Sequence, residues 1–243
     1  MANQNKTAMP QAVILAGGFG TRLRSVVSDR PKALAEVSGK PFIEYQLDWL
    51  MKQGITDVTI AVHHMADQLK SFVVQWSNKL LNVDYVHEQE PLGTGGAVAN
   101  AVKQKKLHGK ILVINGDTLF RFSLAPVMRF LQPMIEPALM IASIQEDVSR
   151  FGTITVDNNY VRSFRQATGQ HKPGLVNGGA YLMDCDSFVT TTIKPFSLEH
   201  DYFPRLVSKN KLLVYVVDES EGFYDIGTPD AYKQICTENS SEC

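Results

Sequence analysis

Ala12-Val-Ile-Leu-Ala-Gly-Gly-Phe-Gly-Thr-Arg-Leu23 decides how the rest of the chain is read. Its first four residues form a short apolar run that stops at glycines, the pattern of a buried strand. Three glycines within four positions, Gly17, Gly18 and Gly20, then let the backbone approach a ligand closely and aim N–H groups at phosphate oxygens. Arg22 adds a planar cation suited to the same oxygens. A tight strand-to-helix turn needs a single glycine, so the clustering favours a phosphate-binding loop. It is not a P-loop, because no Gly-Lys-Ser/Thr follows in place. Nor does any Gly-x-Gly-x-x-Gly dinucleotide pattern fit Gly17, Gly18 and Gly20.

Outward from this loop, strand and helix patterns alternate. Residues 40–53 carry Phe42, Ile43, Leu47, Trp49 and Leu50 at helical spacing, with Pro41 near the start and Gly54 just past the end. Residues 58–62 read as a strand, 66–76 as a helix, 83–86 as a strand and 95–105 as a small-residue helix. Ile111-Leu-Val-Ile114 is another buried strand, terminated by Asn115-Gly-Asp117. This alternation implies crossover units of a nucleotide-binding type. The second half differs: a strand at 138–144, a hairpin at 152–164 turning at Asp157-Asn-Asn159, and a strand at 176–183. A helix at 198–208, a strand at 212–217 and a last helix from 229 to 236 follow, with a frayed polar tail after Thr237. The expected fold is therefore α/β, with a mostly parallel central sheet flanked by helices and an antiparallel addition in the second half.

The 243 residues include 24 Lys+Arg and 25 Asp+Glu, a net charge of −1 that argues against a sequence-independent nucleic-acid binder. No repeat or linker splits the chain, and no apolar run approaches the roughly 20 residues needed to cross a bilayer. Residues 1–10 lack the apolar stretch of a secretory signal, so a cytoplasmic location is expected. Cys185, Cys236 and Cys243 are scattered, which argues against a disulfide framework or a structural zinc site.

Two carboxylates stand out. Asp117 ends an apolar strand, at the carboxyl edge where parallel sheets place ligands. Asp225 lies in Phe223-Tyr-Asp-Ile-Gly227, again among apolar residues. Converging on one divalent ion, the pair would suit Mg²⁺; by pattern alone both serve equally well as turn or capping residues. His63-His64 is not a metal site if strand neighbours point to opposite faces. Trp49 and Trp76 read as core. No Ser/His/Asp or Cys/His arrangement for nucleophilic catalysis is legible.

Gly17-Gly-Phe-Gly-Thr-Arg-Leu23, Pro31-Lys-Ala-Leu34 and Gly39-Lys-Pro41 together resemble the signature of sugar-1-phosphate nucleotidyltransferases. The resemblance continues through Glu90-Pro-Leu-Gly-Thr-Gly-Gly96, Asn115-Gly-Asp117, Phe151-Gly152, Asn177-Gly-Gly-Ala-Tyr181 and Tyr224-Asp-Ile-Gly-Thr-Pro229, spanning about residues 11 to 236. Within that family, Glu90–Ala97, Phe196-Ser-Leu-Glu-His-Asp201 and Asp225–Pro229 are similar to the D-glycero-α-D-manno-heptose 1-phosphate guanylyltransferases. The resemblance implies one domain over residues 1–243, of the nucleotide-diphospho-sugar transferase type. About 11–120 would form a nucleotide-binding half, 121–236 a sugar-phosphate half and 237–243 a tail.

It also implies the reaction. A phosphate oxygen of a sugar 1-phosphate attacks the α-phosphorus of an NTP, GTP foremost, and pyrophosphate leaves. Catalytic roles would fall to Arg22, Lys32 and Asp117, with Lys32 offsetting charge at the α-phosphorus and Arg22 holding the leaving pyrophosphate. Leu15, Ala16, Gly17, Gly18, Gly20, Thr21, Glu90, Gly93 and Thr94 would bind the nucleotide. Asn115, Gly152, Asn177 and Glu199 would contact the sugar phosphate, and Asp117 and Asp225 would hold Mg²⁺. Guanine offers adjacent N1–H and N2–H donors that a carboxylate accepts well, so Glu88 or Glu90 is a candidate acceptor, although a backbone carbonyl serves too. Expected partners are the two substrates, with neither nucleic acid nor membrane; a homo-oligomer stays open. One departure stands out. The family's Phe-x-Glu-Lys becomes Phe164-Arg-Gln-Ala167, so Arg165 or Lys172 takes over from the missing lysine, or the phosphate is held differently. Two alternatives stay open: a regulatory homologue that binds nucleotide sugars without turnover, for which that departure is the one sequence feature, or the same reaction with mannose 1-phosphate, UTP or dTTP.

Overall fold

A computed structural model describes residues 9–76, 78, 80–132, 135–189, 192–217 and 222–238; the first eight residues and the tail with Cys243 lie outside them. β1 (Gln11–Leu15) leads into the glycine loop, a 3-10 turn at Lys32–Leu34 and the short ribbon of β2 (Glu36–Val37) and β3 (Lys40–Pro41). α1 (Phe42–Lys52), β4 (Asp57–Val62), α2 (Ala66–Gln75), β5 (Asn82–His87), α3 (Gly93–Lys105) and β6 (Lys110–Asn115) then alternate as expected. The helix boundaries have local causes. α1 buries Phe42, Ile43, Gln46, Leu47, Trp49 and Leu50, one stripe at helical spacing. It stops because Gly54 takes φ +82, so that Gly54 N donates to Met51 O and Ile55 N to Leu50 O at 3.1 Å.

β7 (Thr118–Phe120), α4 (Leu124–Leu131), β8 (Ala138–Gln145), β9 (Thr153–Asp157) and β10 (Tyr160–Arg165) follow. Asn158 and Asn159 take φ of 48 and 63, the two positive values a two-residue hairpin requires. β11 (Gly174–Asp184), α5 (Asp186–Val189), a π-type turn at Leu198–Tyr202, α6 (Phe203–Val207), β12 (Leu212–Val217), β13 (Phe223–Asp225) and α7 (Pro229–Glu238) complete the described chain. β7, α5 and β13 span only three or four residues, too few for a periodic pattern to emerge, whereas α4 buries Leu124, Val127 and Leu131 at helical spacing and went unread in the sequence.

The nine-stranded main sheet has the order β5-β4-β1-β6-β11-β8-β12-β10-β9. The four strands of the first half are mutually parallel. β11 runs antiparallel between β6 and β8, β12 returns parallel to β8, and the β10–β9 hairpin closes the far edge. Only β11 and β10 therefore oppose the common direction. The antiparallel part is built into one continuous mixed sheet instead of being appended to a finished parallel one.

Both faces are covered. Ala12 and Ile14 join a core with α1, α2 and α4, while Val13 joins the opposite core with α3 and α6. This two-sided burial is why β1 reads as an unbroken apolar run without alternation. In β11 the register shifts between Asn177 and Ala180, and a Cβ added at Gly178 would lie 2.5 Å from the Phe120 ring and 2.7 Å from Ile141 O. Gly178→Ala should consequently cost about 1–3 kcal/mol through overpacking against backbone, read as a fall in Tm of a few degrees. An unchanged Tm would show that β11 can shift freely.

Candidate active site

Parallel pairing of β1 with β6 sets Leu15 opposite Asn115, and Gly116 N donates to Leu15 O at 3.0 Å. The glycine loop after β1 and the Asn115–Asp117 turn after β6 thus leave the sheet side by side. A cavity of about 380 Å³ opens there, walled by residues 15–20, Lys32, Glu88, Gly93, Thr94, Asn115 and Asp117. Of the expected nucleotide contacts, Leu15, Ala16, Gly17, Gly18, Gly20, Gly93 and Thr94 line it. Thr21 and Arg22 are exposed on the turn beyond.

Glu90 is exposed and does not line the cavity, whereas Glu88 does and is only 4% exposed. Leu92 N donates to Glu88 Oε2 at 3.1 Å, while the buried Oε1 has no hydrogen-bond partner among the described residues. Burial pushes the Glu88 carboxyl up; the Leu92 N–H and the nearby His63 pull the other way. Gly17 faces this oxygen, and a Cβ there would sit 3.1 Å from it. Of the two glutamates the sequence left open, Glu88 is the one placed to meet a ligand's donors.

The turn carrying Asp117 is clamped from below. Gln46, fully buried on α1, donates through Nε2 to Asn115 O and to Thr118 O, both at 2.7 Å. Sequence reading missed this residue, since its spacing is simply that of a helix interior. Lys32 Nζ donates to Asp117 Oδ2 at 2.8 Å, with the lysine side chain 14% exposed. β13 pairs antiparallel with β7 so that Asp225 faces Thr118, and Ile226 N donates to Asp117 O at 2.9 Å. The two aspartates are therefore neighbours. Burial first, then the Asp117 charge, raises the Asp225 carboxyl above its ordinary value; the Gly227 N–H, Lys32 and Arg150 lower it. Two mutually repelling carboxylates at the cavity beside the glycine loop suit a divalent ion that completes its shell with phosphate oxygens and water. Among the described residues no cluster of three or more His, Cys, Asp or Glu side chains offers a fuller metal cage.

The expected sugar contacts gather nearby. Asn177 Nδ2 donates to Tyr181 OH at 2.8 Å, and Tyr181 OH donates to Glu199 Oε1 at 3.4 Å. Glu199 Oε2 accepts from Thr94 Oγ1 at 2.8 Å, linking this group to the nucleotide cavity. Gly93, at φ +66, lets that loop pass Phe196, whose carbonyl oxygen would lie 2.7 Å from an added Cβ. Gly152 lies against Arg165 O, 3.0 Å from the place of its absent Cβ. His63 corrects an expectation about geometry. It falls one residue beyond β4, so the opposite-face rule does not apply; its Nδ1 contacts Glu88 O at 2.9 Å and its ring meets Phe19 edge-on at 5.5 Å. Trp49 is buried with Nε1 donating to Phe122 O, and Trp76 packs half-buried against the same core.

Residues 11–242 match the nucleotidyl transferase family model. A D-glycero-alpha-D-manno-heptose 1-phosphate guanylyltransferase of Campylobacter jejuni is 36% identical over 94% of this chain and 100% of its own length. One from Aneurinibacillus thermoaerophilus is 34% identical over 92% and 96%. Among solved structures, HddC from Yersinia pseudotuberculosis complexed with GMP-PN superposes with a TM-score of 0.82 at 32% identity, covering 95% of this chain and 99% of that one. The chain belongs to the nucleotidyl transferase family. No helix among the described residues is long and apolar enough to cross a membrane.

A carboxyl whose folded pKa is raised contributes stability below its unfolded pKa, near 4, and loses it as pH rises through the raised value. Asp225→Asn should accordingly raise the Tm of the metal-free protein at neutral pH, with the gain vanishing below about pH 4. The same variant should lower nucleotidyl transfer by about 100-fold or more. Near-normal turnover at saturating Mg²⁺ would remove Asp225 from the metal site.

Proposed function

We propose that this protein transfers guanylyl from GTP to D-glycero-α-D-manno-heptose 1-phosphate, releasing pyrophosphate. The observation that carries the choice of base is the buried, unpartnered Oε1 of Glu88 on the cavity wall. A carboxylate with one oxygen held by Leu92 N and lone pairs on both matches the paired N1–H and N2–H of guanine. Uracil and thymine present a single ring N–H. The heptose acceptor rests on the names of the two bacterial relatives.

In the proposed reaction the glycine-loop N–H groups hold the nucleotide phosphates and the acceptor's phosphate oxygen attacks the α-phosphorus in line. Lys32 transfers its contact from Asp117 to phosphate oxygens, offsetting charge that grows in the transition state. Arg22, exposed just past Gly20, takes the pyrophosphate as it leaves. Asp117 and Asp225 would hold Mg²⁺, which when bound supplies charge neutralisation at the phosphates. Asn115, Asn177 and Glu199, with Gly152, orient the sugar so that the attack is a positioned encounter. No side chain needs to form a covalent bond.

A pyrophosphate-release assay with each NTP against a panel of sugar 1-phosphates tests the assignment directly; equal use of UTP, CTP or dTTP overturns the guanylyl reading. Wild type should prefer GTP over ITP, which lacks the exocyclic amine, by about 10-fold, the worth of one buried hydrogen bond. Glu88→Gln should shrink that preference, because the amide places NH₂ where the second carboxylate oxygen stood, while Glu90→Gln leaves it intact. The opposite pattern would return the role to Glu90. Lys32→Ala should lower kcat more than it raises the KM for GTP; an effect confined to KM would make Lys32 a simple binding residue.

A further inference from the structure

A second cavity, about 620 Å³, counts Asp225 in its wall as the first counts Asp117. The β7–β13 pairing makes these carboxylates neighbours, one in the wall of each cavity. Lys32 serves the nucleotide side. Among the described residues, the cation lining the second cavity is Arg150. Its Nη1 donates to Thr228 Oγ1 at 3.1 Å, and its guanidinium carbon lies 5.1 Å from the Phe151 ring centroid. Phe151 in turn meets Phe223 of β13 edge-on at 5.7 Å. The guanidinium is thus anchored by one N–H and by a ring, in an otherwise exposed position, with further donors left for an anion.

The neighbours fit the other end of a sugar phosphate. Gly152 follows two residues later, and the β9–β11 pairing of Thr153 with Val176 brings Asn177 beside it. The alternative cations fit less well: neither Lys172, which donates to Gln170 Oε1 at 3.0 Å, nor Arg165, at the end of β10, lines either cavity. Glu146, Asp147 and Asp230 also face the second cavity and repel a bare anion, although Asp147 is engaged by His171 at 2.9 Å and by Ser149 N. An anion there is favoured at the Arg150–Asp225 end, beside the cation that the aspartates would hold.

We propose that Arg150 binds the phosphate of the sugar 1-phosphate acceptor, its fork taking the two oxygens that do not attack the nucleotide. This rests on the proposed transferase reaction, and the site answers the question raised by Ala167. The test is steady-state kinetics of Arg150→Gln, Arg150→Lys, Thr228→Val and Arg165→Gln, using GTP and whichever sugar 1-phosphate the wild type turns over. Arg150→Gln should raise the acceptor KM about 10- to 100-fold, the scale for a hydrogen bond to a charged group, with the GTP KM changed less than about twofold. Arg150→Lys should fall between it and the wild type, since a point charge replaces a fork. Thr228→Val keeps the charge but removes the anchor, and also the oxygen that accepts from Ala231 N at 3.4 Å in the first turn of α7, so it should raise the acceptor KM by less than Arg150→Gln does. An unchanged acceptor KM in Arg150→Gln overturns the proposal, as does a large effect confined to Arg165→Gln. A Thr228→Val phenotype equal to Arg150→Gln, or GTP and acceptor KM rising together with a fallen Tm, would instead make Arg150 a brace for the Asp225 segment and equally overturn it. If the wild type turns over no sugar 1-phosphate, the transferase reading itself has failed.

Discussion

Pairing of β1 with β6 is the constraint on which the site depends. Leu15 opposite Asn115 fixes where two loops of opposite charge character leave the sheet, one bare in side chains and rich in N–H donors, the other ending in a carboxylate. Both strands are buried on both faces, so a slip by one residue would exchange their two cores and is strongly disfavoured. Gln46 then holds the second turn by two carbonyls, and β13 reaches across to add Asp225. Each later element takes its place relative to this first register.

Charge within that frame is arranged at a cost in stability. Asp117 and Asp225 repel each other, and Glu88 keeps an unpaired oxygen where water is largely excluded. Lys32 relieves part of the repulsion on Asp117. Such groups contribute little to the fold by themselves. In the proposed reaction, phosphate, a divalent ion and base N–H donors would relieve that strain, turning ground-state disfavour into binding selectivity. The Asn177–Tyr181–Glu199–Thr94 chain of hydrogen bonds carries that arrangement from the nucleotide loop to the proposed sugar contacts through a fully buried tyrosine.

The sequence by itself determined the family, the alternating first half, the hairpin turn at Asn158-Asn159 and the glycine loop. These are properties of neighbours along the chain: apolar periodicity, positive φ, and the freedom of residues without a Cβ. It also marked Asp117 and Asp225 as two carboxylates of interest, though not that they meet, because 108 positions of chain separate 117 from 225. Only the tertiary structure decided that β11 enters the sheet in reverse beside β6, that Glu88 and not Glu90 faces the cavity, and that Gln46 holds the Asp117 turn. It likewise placed Arg150, not Arg165 or Lys172, on the Asp225 cavity. The physical reason is the same in each case. Which of two nearby charged side chains points inward, and which distant strands become neighbours, follows from burial of both sheet faces at once, and no local pattern in the chain encodes that choice.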